Sequence, residues 1–214
     1  MTADLMRATA AVSVAAGIVY VAFQLHLLPR SIASVVSKVY FFPTWPLTYL
    51  SRRTAYYTLV DSHVFVGAAP MEFMGHVSQM ASRGVRGVVN MCDEYEGPVH
   101  AYKKAGIKQL RLPTPDHTEP TLDDIRQAIA FIELHKSQGA RVYIHCKAGA
   151  GRSAAVAFCW LLQSTGWSPE EVQQYLSEKR RVRRSLKSQP TILAFYRSLP
   201  SPPSARPISA FPSQ

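Results

Sequence analysis

Cysteine and acidic residues are scarce in this sequence of 214 residues. The three cysteines are Cys92, Cys146 and Cys159, and no two of them form a CxxC pair. This spacing argues against a secreted disulfide framework and a structural zinc site, and it favours a reducing compartment. With 47% hydrophobic and 18% charged residues, the chain is neither fully disordered nor a multi-spanning membrane protein. The composition fits one globular domain with an extra segment.

The shortage of acids leaves the chain strongly basic, with 24 Lys and Arg against 14 Asp and Glu and a net charge of +10. If residues 179–187 continue one helix, four of their basic side chains share one face because they are spaced i, i+3, i+4 and i+7. These are Arg180, Arg183, Arg184 and Lys187. Such a face suits an anionic membrane surface, and a merely solvated helix face is the alternative. No aromatic-rich motif for recognising nucleic-acid bases accompanies this basic face, so a nucleic-acid partner is not expected.

The N-terminal part is apolar. Residues 8–28 contain neither an acid nor a permanent base, and this length can span a bilayer. A targeting sequence, an anchor and a buried core helix all stay open. Residues 39–50 are also apolar but contain Pro43 and Pro46, which suggests a surface strap or a membrane-interface segment. The predicted division is 1–38 as targeting or anchor segment, 39–55 as aromatic strap or linker, 56–199 as catalytic domain, and 200–214 as disordered tail.

From residue 56 the chain alternates between strand and helix patterns. Strands are predicted at residues 63–67, 87–91, 108–112 and 141–145, and helices at 121–136, 153–165, 169–184 and 190–197. Thr121 and Asp124 form a capping box at the start of the first of these helices. The predicted fold class is α/β, with a mainly parallel central sheet flanked by helices and an N-terminal hydrophobic helix.

The stretch HCKAGAGRS lies between a buried strand and a helix. Glycines let this loop curl so that its backbone N–H groups point inward, and the helix N-terminus adds further donors. The sequence therefore predicts a phosphate site at this loop. Its candidate phosphate-binding residues are Lys147, Ala148, Gly149, Ala150, Gly151 and Arg152.

The loop also predicts a nucleophile. Amide donors and a helix N-terminus favour a thiolate at Cys146. Arg152 can hold two phosphoryl oxygens of the transition state through its planar guanidinium. Ser153 can donate a hydrogen bond to the sulfur, which makes it a better leaving group. His145 is expected to fix the loop by hydrogen bonds, with a core histidine as the alternative.

Expulsion of an alkoxide from phosphorus requires a proton donor. Asp116 is the candidate because it lies in a proline-rich loop after a strand, 30 residues before the cysteine. Asp123 and Asp124 are explained by the dipole of the helix that they begin. Glu119 and His117 stay open as alternatives.

The HCxxGxxRS stretch is the signature of the cysteine-based phosphatases, and the chain resembles that superfamily. Over about residues 40–198 it resembles one branch, the mitochondrial dual-specificity-like phosphatases that act on phosphatidylglycerophosphate. The segments that carry this likeness are FFPTWPLTYL, HVFVGAAP, RGVVNMCDEYE, KQLRLPTPDHTEPT, HCKAGAGRS and GWSPEE. The resemblance implies hydrolysis through a phosphocysteine without metal or cofactor.

The same resemblance places the DEYE stretch, residues 93–96, beside the phosphate loop. We expect Glu94 to pair with Arg152, and a solvated acidic turn is the alternative. Cys92 ends a strand on the side of the sheet where Cys146 begins its loop, so it is a candidate redox partner, or else a small buried residue. Ala150 departs from the branch, in which this position is often basic.

The leading functional hypothesis is a membrane-associated phosphatase that acts on a phosphorylated acidic lipid at the mitochondrial inner membrane. A dual-specificity phosphatase for phosphotyrosine and phosphothreonine is the alternative, because the signature serves both substrate classes. A phosphate-binding adaptor without activity ranks below them, since nucleophile, arginine and acid are all present. The sequence leaves the oligomeric state open.

Overall fold

A computed structural model describes residues 2–25 and 27–200, and its centre is a sheet of five strands in the order β1-β2-β5-β3-β4. β1 is antiparallel to β2, and the remaining neighbours are parallel. The mainly parallel sheet is therefore confirmed, with β1 as an unpredicted addition. The strands are β1 (Tyr57–Leu59), β2 (Val64–Gly67), β3 (Val85–Cys92), β4 (Lys108–Thr114) and β5 (Arg141–His145).

Eight α-helices are described, two of them ahead of the sheet. They are α1 (Thr2–Gln24), α2 (Arg30–Arg52), α3 (His76–Ser82), α4 (Val99–Lys104), α5 (Leu122–Ser137), α6 (Arg152–Thr165), α7 (Pro169–Lys179) and α8 (Pro190–Ser198). The capping box of Thr121 and Asp124 at the start of α5 is confirmed. A second one, formed by Ser168 and Glu171, begins α7 and was not predicted.

The core lies on both faces of β5. Val142 and Ile144 point into the larger cluster, where α5, α6 and α8 pack. Tyr143 points to the other face and packs with side chains of α3 and α4. Because both faces are buried, β5 is rigid, and the loop that follows it starts from a fixed point.

Helix α7 ends earlier than the sequence predicts. It stops at Lys179, and Arg180 has extended backbone angles (φ −158°, ψ 154°) and a buried side chain. The predicted basic face of Arg180, Arg183, Arg184 and Lys187 is therefore wrong. The physical reason is that the Arg180 guanidinium turns inward, where it donates hydrogen bonds to backbone carbonyls beneath the phosphate loop.

The predicted strap at residues 39–55 is instead mostly helical. Helix α2 runs through Pro43 and Pro46, so the predicted boundary between residues 38 and 39 falls inside it. The prolines cannot donate to the carbonyls of Val39 and Phe42, whose side chains are exposed, so the missing bonds lie on the outer side of the helix. On the inner side, Phe41 is fully buried and stacks on Tyr95 with ring centroids 4.9 Å apart.

Helix α1 is exposed and apolar. Residues Leu5–Gln24 are long and apolar enough to cross a membrane, and none of them lies inside the protein apart from Phe23 near the C-terminal end. Phe23 packs with Ala33 and Val36 of α2, which joins the two helices. A buried core helix is thus not what the structure has. The predicted disordered tail lies outside the described residues from position 201 onward.

Candidate active site

The loop between β5 and α6 is tightly packed against its surroundings. Gly149 has a φ of +68°, and a Cβ placed there would lie 2.5 Å from the Gly67 carbonyl and from the Arg180 guanidinium. Any side chain would therefore strain the backbone and collide with neighbouring atoms. The sequence requires glycine at this position so that the loop can close on β2.

Cys146 is the first residue of the loop and is buried. Ser153 donates a hydrogen bond from its hydroxyl to the cysteine sulfur over 3.2 Å. Burial opposes ionisation, yet the charge of Arg152 and the hydrogen bonds from Ser153 outweigh it and lower the pKa of the Cys146 thiol. The arrangement therefore favours the thiolate, which is the reactive form of the cysteine.

Arg152 is buried and its guanidinium is held by a bidentate ion pair. Its two terminal nitrogens lie 2.8 and 2.7 Å from the carboxylate oxygens of Glu94, whose side chain is fully buried. One nitrogen also donates to the Thr114 carbonyl over 2.6 Å. The structure thus brings Glu94 and Arg152 together as expected, and the DEYE segment is not a solvated turn. This pairing fixes the plane of the guanidinium.

Asp116 follows β4 and lies 2.8 Å from Arg152. Burial raises the pKa of this carboxyl, but the charges of Arg152 and His117 outweigh burial and leave the pKa below its ordinary value. Asp116 is therefore ionised in the unliganded site. A bound phosphate dianion would take over Arg152 and repel the carboxylate, which favours the protonated form that an acid needs.

The alternative carboxylates have other partners, whereas His117 lies at the site. The Glu119 carboxylate accepts a hydrogen bond from Thr191 of α8 over 3.1 Å. Asp123 binds Gln127, and Asp124 belongs to the capping box. His117 lines the same cavity as Cys146, with its Nε2 3.9 Å from the Asp116 carboxylate, and packs edge-on against Phe23 of α1, so it stays open as an alternative.

Two further residues of this stretch differ from the sequence prediction. Neither ring nitrogen of His145 has a hydrogen-bond partner among the described residues, so the structure has the alternative, a core histidine, and not side-chain hydrogen bonds that fix the loop. His145 is fully buried between the rings of Tyr95 and Tyr143, and burial lowers its pKa to about 3, so the imidazole is neutral. The Lys147 ammonium donates to the hydroxyl of Thr44 on α2. It does not extend freely toward a substrate.

Cys92 ends β3 and is fully buried in the same core cluster as Cys146. Burial raises the pKa of its thiol well above the ordinary value, so it is protonated. Both cysteines are free thiols. A redox partnership between Cys92 and Cys146 stays a prediction.

Arg180 supports the site in a way that the sequence does not predict, since the sequence places it on an exposed basic face. Its guanidinium donates to the Gly149 carbonyl over 3.0 Å, to the Thr58 hydroxyl over 3.2 Å and to the Val66 carbonyl. Burial lowers the pKa of Arg180 to about 10, which still leaves it charged at neutral pH. It thus braces the phosphate loop from below. Spacing alone cannot distinguish this buried arginine from its solvated neighbours in a basic run.

A cavity of about 600 Å³ opens above Cys146. Its floor contains Asp116, Arg152 and the loop residues Lys147, Ala148, Ala150 and Gly151. The surrounding wall comes from α1, α2 and the segment after α7, through Tyr20, Gln24, Thr44, Leu47, Thr48, Ser51, Arg52, Arg181, Val182 and Arg183. Both N-terminal helices therefore take part in shaping the site.

The loop begins with a cysteine whose pKa is lowered and ends with an arginine. This arrangement is typical of phosphatases that use a cysteine nucleophile. Residues 65–197 match the family described as dual specificity phosphatase, catalytic domain. The chain belongs to this family.

Relatives and a solved structure resemble the chain over most of its length. It is 35% identical over 157 residues to the mouse protein named phosphatidylglycerophosphatase and protein-tyrosine phosphatase 1. This match covers 68% of this chain and 81% of the mouse protein. An Arabidopsis thaliana relative, phosphatidylglycerophosphate phosphatase PTPMT1, is 32% identical over 71% of this chain and 46% of its own length. The crystal structure of PTPMT1 in complex with PI(5)P has 33% identity and a TM-score of 0.59, and it covers 66% of this chain and 95% of that one.

Replacing Ser153 by Ala is expected to raise the pKa of Cys146, because the thiolate loses a hydrogen bond that favours its charged form. The pH dependence of alkylation by iodoacetamide measures this pKa. Its midpoint should move to higher pH in Ser153→Ala and stay in place in Ser164→Ala, a control near the other end of α6. An unchanged midpoint in Ser153→Ala would contradict the assignment.

Replacing Arg180 by Gln is expected to lower the free energy of unfolding by about 2–4 kcal/mol, because buried carbonyls lose charged donors. Arg184→Gln removes the same charge from an exposed side chain and should change stability by less than about 0.5 kcal/mol. Urea denaturation followed by tryptophan fluorescence measures both. Equal effects of the two variants would show that Arg180 does not brace the loop.

Proposed function

We propose that this protein hydrolyses the phosphomonoester of phosphatidylglycerophosphate, a phosphorylated acidic lipid. The observation that carries the proposal is the wall of the cavity above Cys146, to which the exposed apolar helix α1 contributes Tyr20 and Gln24. A helix of membrane-spanning length at the edge of the cavity would place the site at a bilayer surface. The names of the mouse and Arabidopsis relatives, and the lipid bound in the PTPMT1 structure, agree with a lipid substrate.

The proposed reaction has two steps. The Cys146 thiolate attacks phosphorus while the bond from phosphorus to the glycerol oxygen breaks, and Asp116 gives its proton to that oxygen. Asp116 then takes a proton from water, the water oxygen attacks the phosphocysteine, and inorganic phosphate leaves with the thiolate restored. Arg152 and the loop amides hold the phosphoryl oxygens in both steps, and Ser153 donates to the departing sulfur.

The proposed location is a membrane with an anionic surface, specifically the mitochondrial inner membrane. Helix α1 supports membrane association by its length and exposure. The mitochondrial assignment rests on the likeness of sequence segments described above.

Lipid preference is tested with the full chain in mixed micelles that present phosphatidylglycerophosphate or a phosphatidylinositol phosphate, beside a soluble phosphotyrosine peptide. We expect kcat/KM for phosphatidylglycerophosphate to exceed that for the peptide by at least about tenfold, a difference of about 1.4 kcal/mol in transition-state binding. Cys146→Ser should abolish turnover of every substrate, since a hydroxyl is not ionised at neutral pH. A preference for the peptide would favour the protein phosphatase alternative.

Replacing Asp116 by Asn is expected to lower kcat about 10²- to 10⁴-fold on the lipid and much less on an aryl phosphate, whose leaving group needs no proton. Asp123→Asn serves as the matched control, because Asp123 lies in the first turn of α5 and binds Gln127. Steady-state kinetics on the two substrates measures the difference. Equal losses on lipid and aryl phosphate would exclude Asp116 as the acid.

A further inference from the structure

We propose that Arg52, Arg181 and Arg183 form a second anion site in the active-site cavity, which binds the phosphodiester group of the lipid headgroup. The identity of the lipid rests on the proposed function. The placement of the three arginines does not.

The three arginines come from two segments that meet at the cavity. Arg52 is the last residue of α2, and its guanidinium donates to the Arg181 carbonyl over 2.8 Å. The backbone N–H of Arg183 donates to the Ala150 carbonyl of the phosphate loop over 2.8 Å. A Cβ placed on Gly151 would lie 3.5 Å from the Arg183 guanidinium. The site is thus joined by hydrogen bonds both to α2 and to the phosphate loop.

The charges of these arginines are not neutralised by the protein. Among the side chains of residues 5–25 and 27–200, no carboxylate lies within 4.0 Å of the charged groups of Arg52, Arg181 or Arg183. The other cavity arginine, Arg152, already pairs with two carboxylates. Clustered cations with low-dielectric walls around them attract and hold anions. The cavity therefore keeps positive charge for a ligand in addition to the charge of Arg152.

The chemistry of the proposed substrate matches two anion sites in one cavity. Its glycerol headgroup carries the phosphomonoester at one end and the phosphodiester at the other, three carbons away. With the monoester above Cys146, the diester would lie toward the wall, where a guanidinium can bind two of its oxygens. The volume of about 600 Å³ is typical of sites that enclose such a headgroup. A phosphotyrosine or phosphothreonine side chain has no second phosphate for this site.

Arg52 also lies outside residues 65–197, which match the catalytic-domain family. The second site is therefore completed by helix α2, which precedes the matched domain. We infer that α2 contributes to substrate selection, in addition to its contact with Lys147.

The test measures binding without hydrolysis. Isothermal titration of the full chain in detergent, carrying Cys146→Ser, gives Kd values for glycerol 1-phosphate and for glycerol 1,3-bisphosphate as a soluble two-phosphate probe. We expect the bisphosphate to bind at least about tenfold more tightly than the monophosphate, and Arg52→Gln to reduce this ratio about fivefold or more. Arg52→Lys should retain part of the ratio, because the charge stays while the bidentate geometry is lost.

Arg53→Gln is the matched control. It removes the same charge from the next residue, whose side chain is exposed and does not line this cavity, so the ratio should be retained. Equal affinities for the two probes, or equal loss of the ratio in Arg52→Gln and Arg53→Gln, would overturn the proposal. Neither probe is a lipid and no turnover is measured, so this test is independent of the proposed function. If the protein selected the bisphosphate but failed to hydrolyse the lipid, the proposed function would be refuted and the second anion site would stand.

Discussion

The charge of Arg152 is the constraint on which the rest of the site depends. A buried guanidinium is strongly destabilising unless it is paired, and here Glu94 supplies a fixed partner and Asp116 a second one. The same charge lowers the pKa values of Cys146 and Asp116. In the unliganded site the proposed nucleophile is thus activated while the proposed acid is held ionised. A phosphate dianion that takes the Asp116 position on Arg152 would reverse the state of the acid, so the proposed substrate itself prepares the proton donor.

Close packing beneath the loop makes this arrangement rigid. Gly149 approaches β2 so closely that a Cβ would collide with Gly67, and Arg180 fills the space below it with hydrogen bonds to both segments. Among the described side chains no carboxylate pairs with Arg180, and these backbone acceptors offset the cost of burying its charge. Loop amides held in this way need little reorganisation when charge develops on a phosphoryl group.

The sequence predicts those parts of the fold that depend on interactions between residues close together in the chain. The buried strand β5, the capping box at Thr121 and the loop from Cys146 to Arg152 each depend on contiguous residues, and the structure has them where the sequence placed them. The end of α7 depends on a distant contact, because Arg180 leaves the helix to reach carbonyls of residues 66 and 149. Residues 39–55, which include the C-terminal half of α2, were predicted as a strap or linker because prolines at positions 43 and 46 argue against a helix in isolation. Packing of Phe41 on Tyr95 stabilises the helix, and no local pattern reports that contact.

Helices α1 and α2 extend the wall of the cavity beyond the catalytic domain, and in the proposed function they would influence which substrates it selects. The phosphate loop alone recognises a phosphoryl group, which lipids and proteins share, so discrimination must come from the surrounding wall. In this chain the wall includes Leu47 and Arg52 of α2 and Tyr20 of α1, and α2 also holds the loop lysine Lys147 through Thr44. An apolar helix of membrane-spanning length beside a basic wall suits a molecule that is lipid at one end and doubly phosphorylated at the other. Because Phe23 packs α1 onto α2, the two helices that line the wall are held against each other, and the wall is a continuous structure rather than two separate segments.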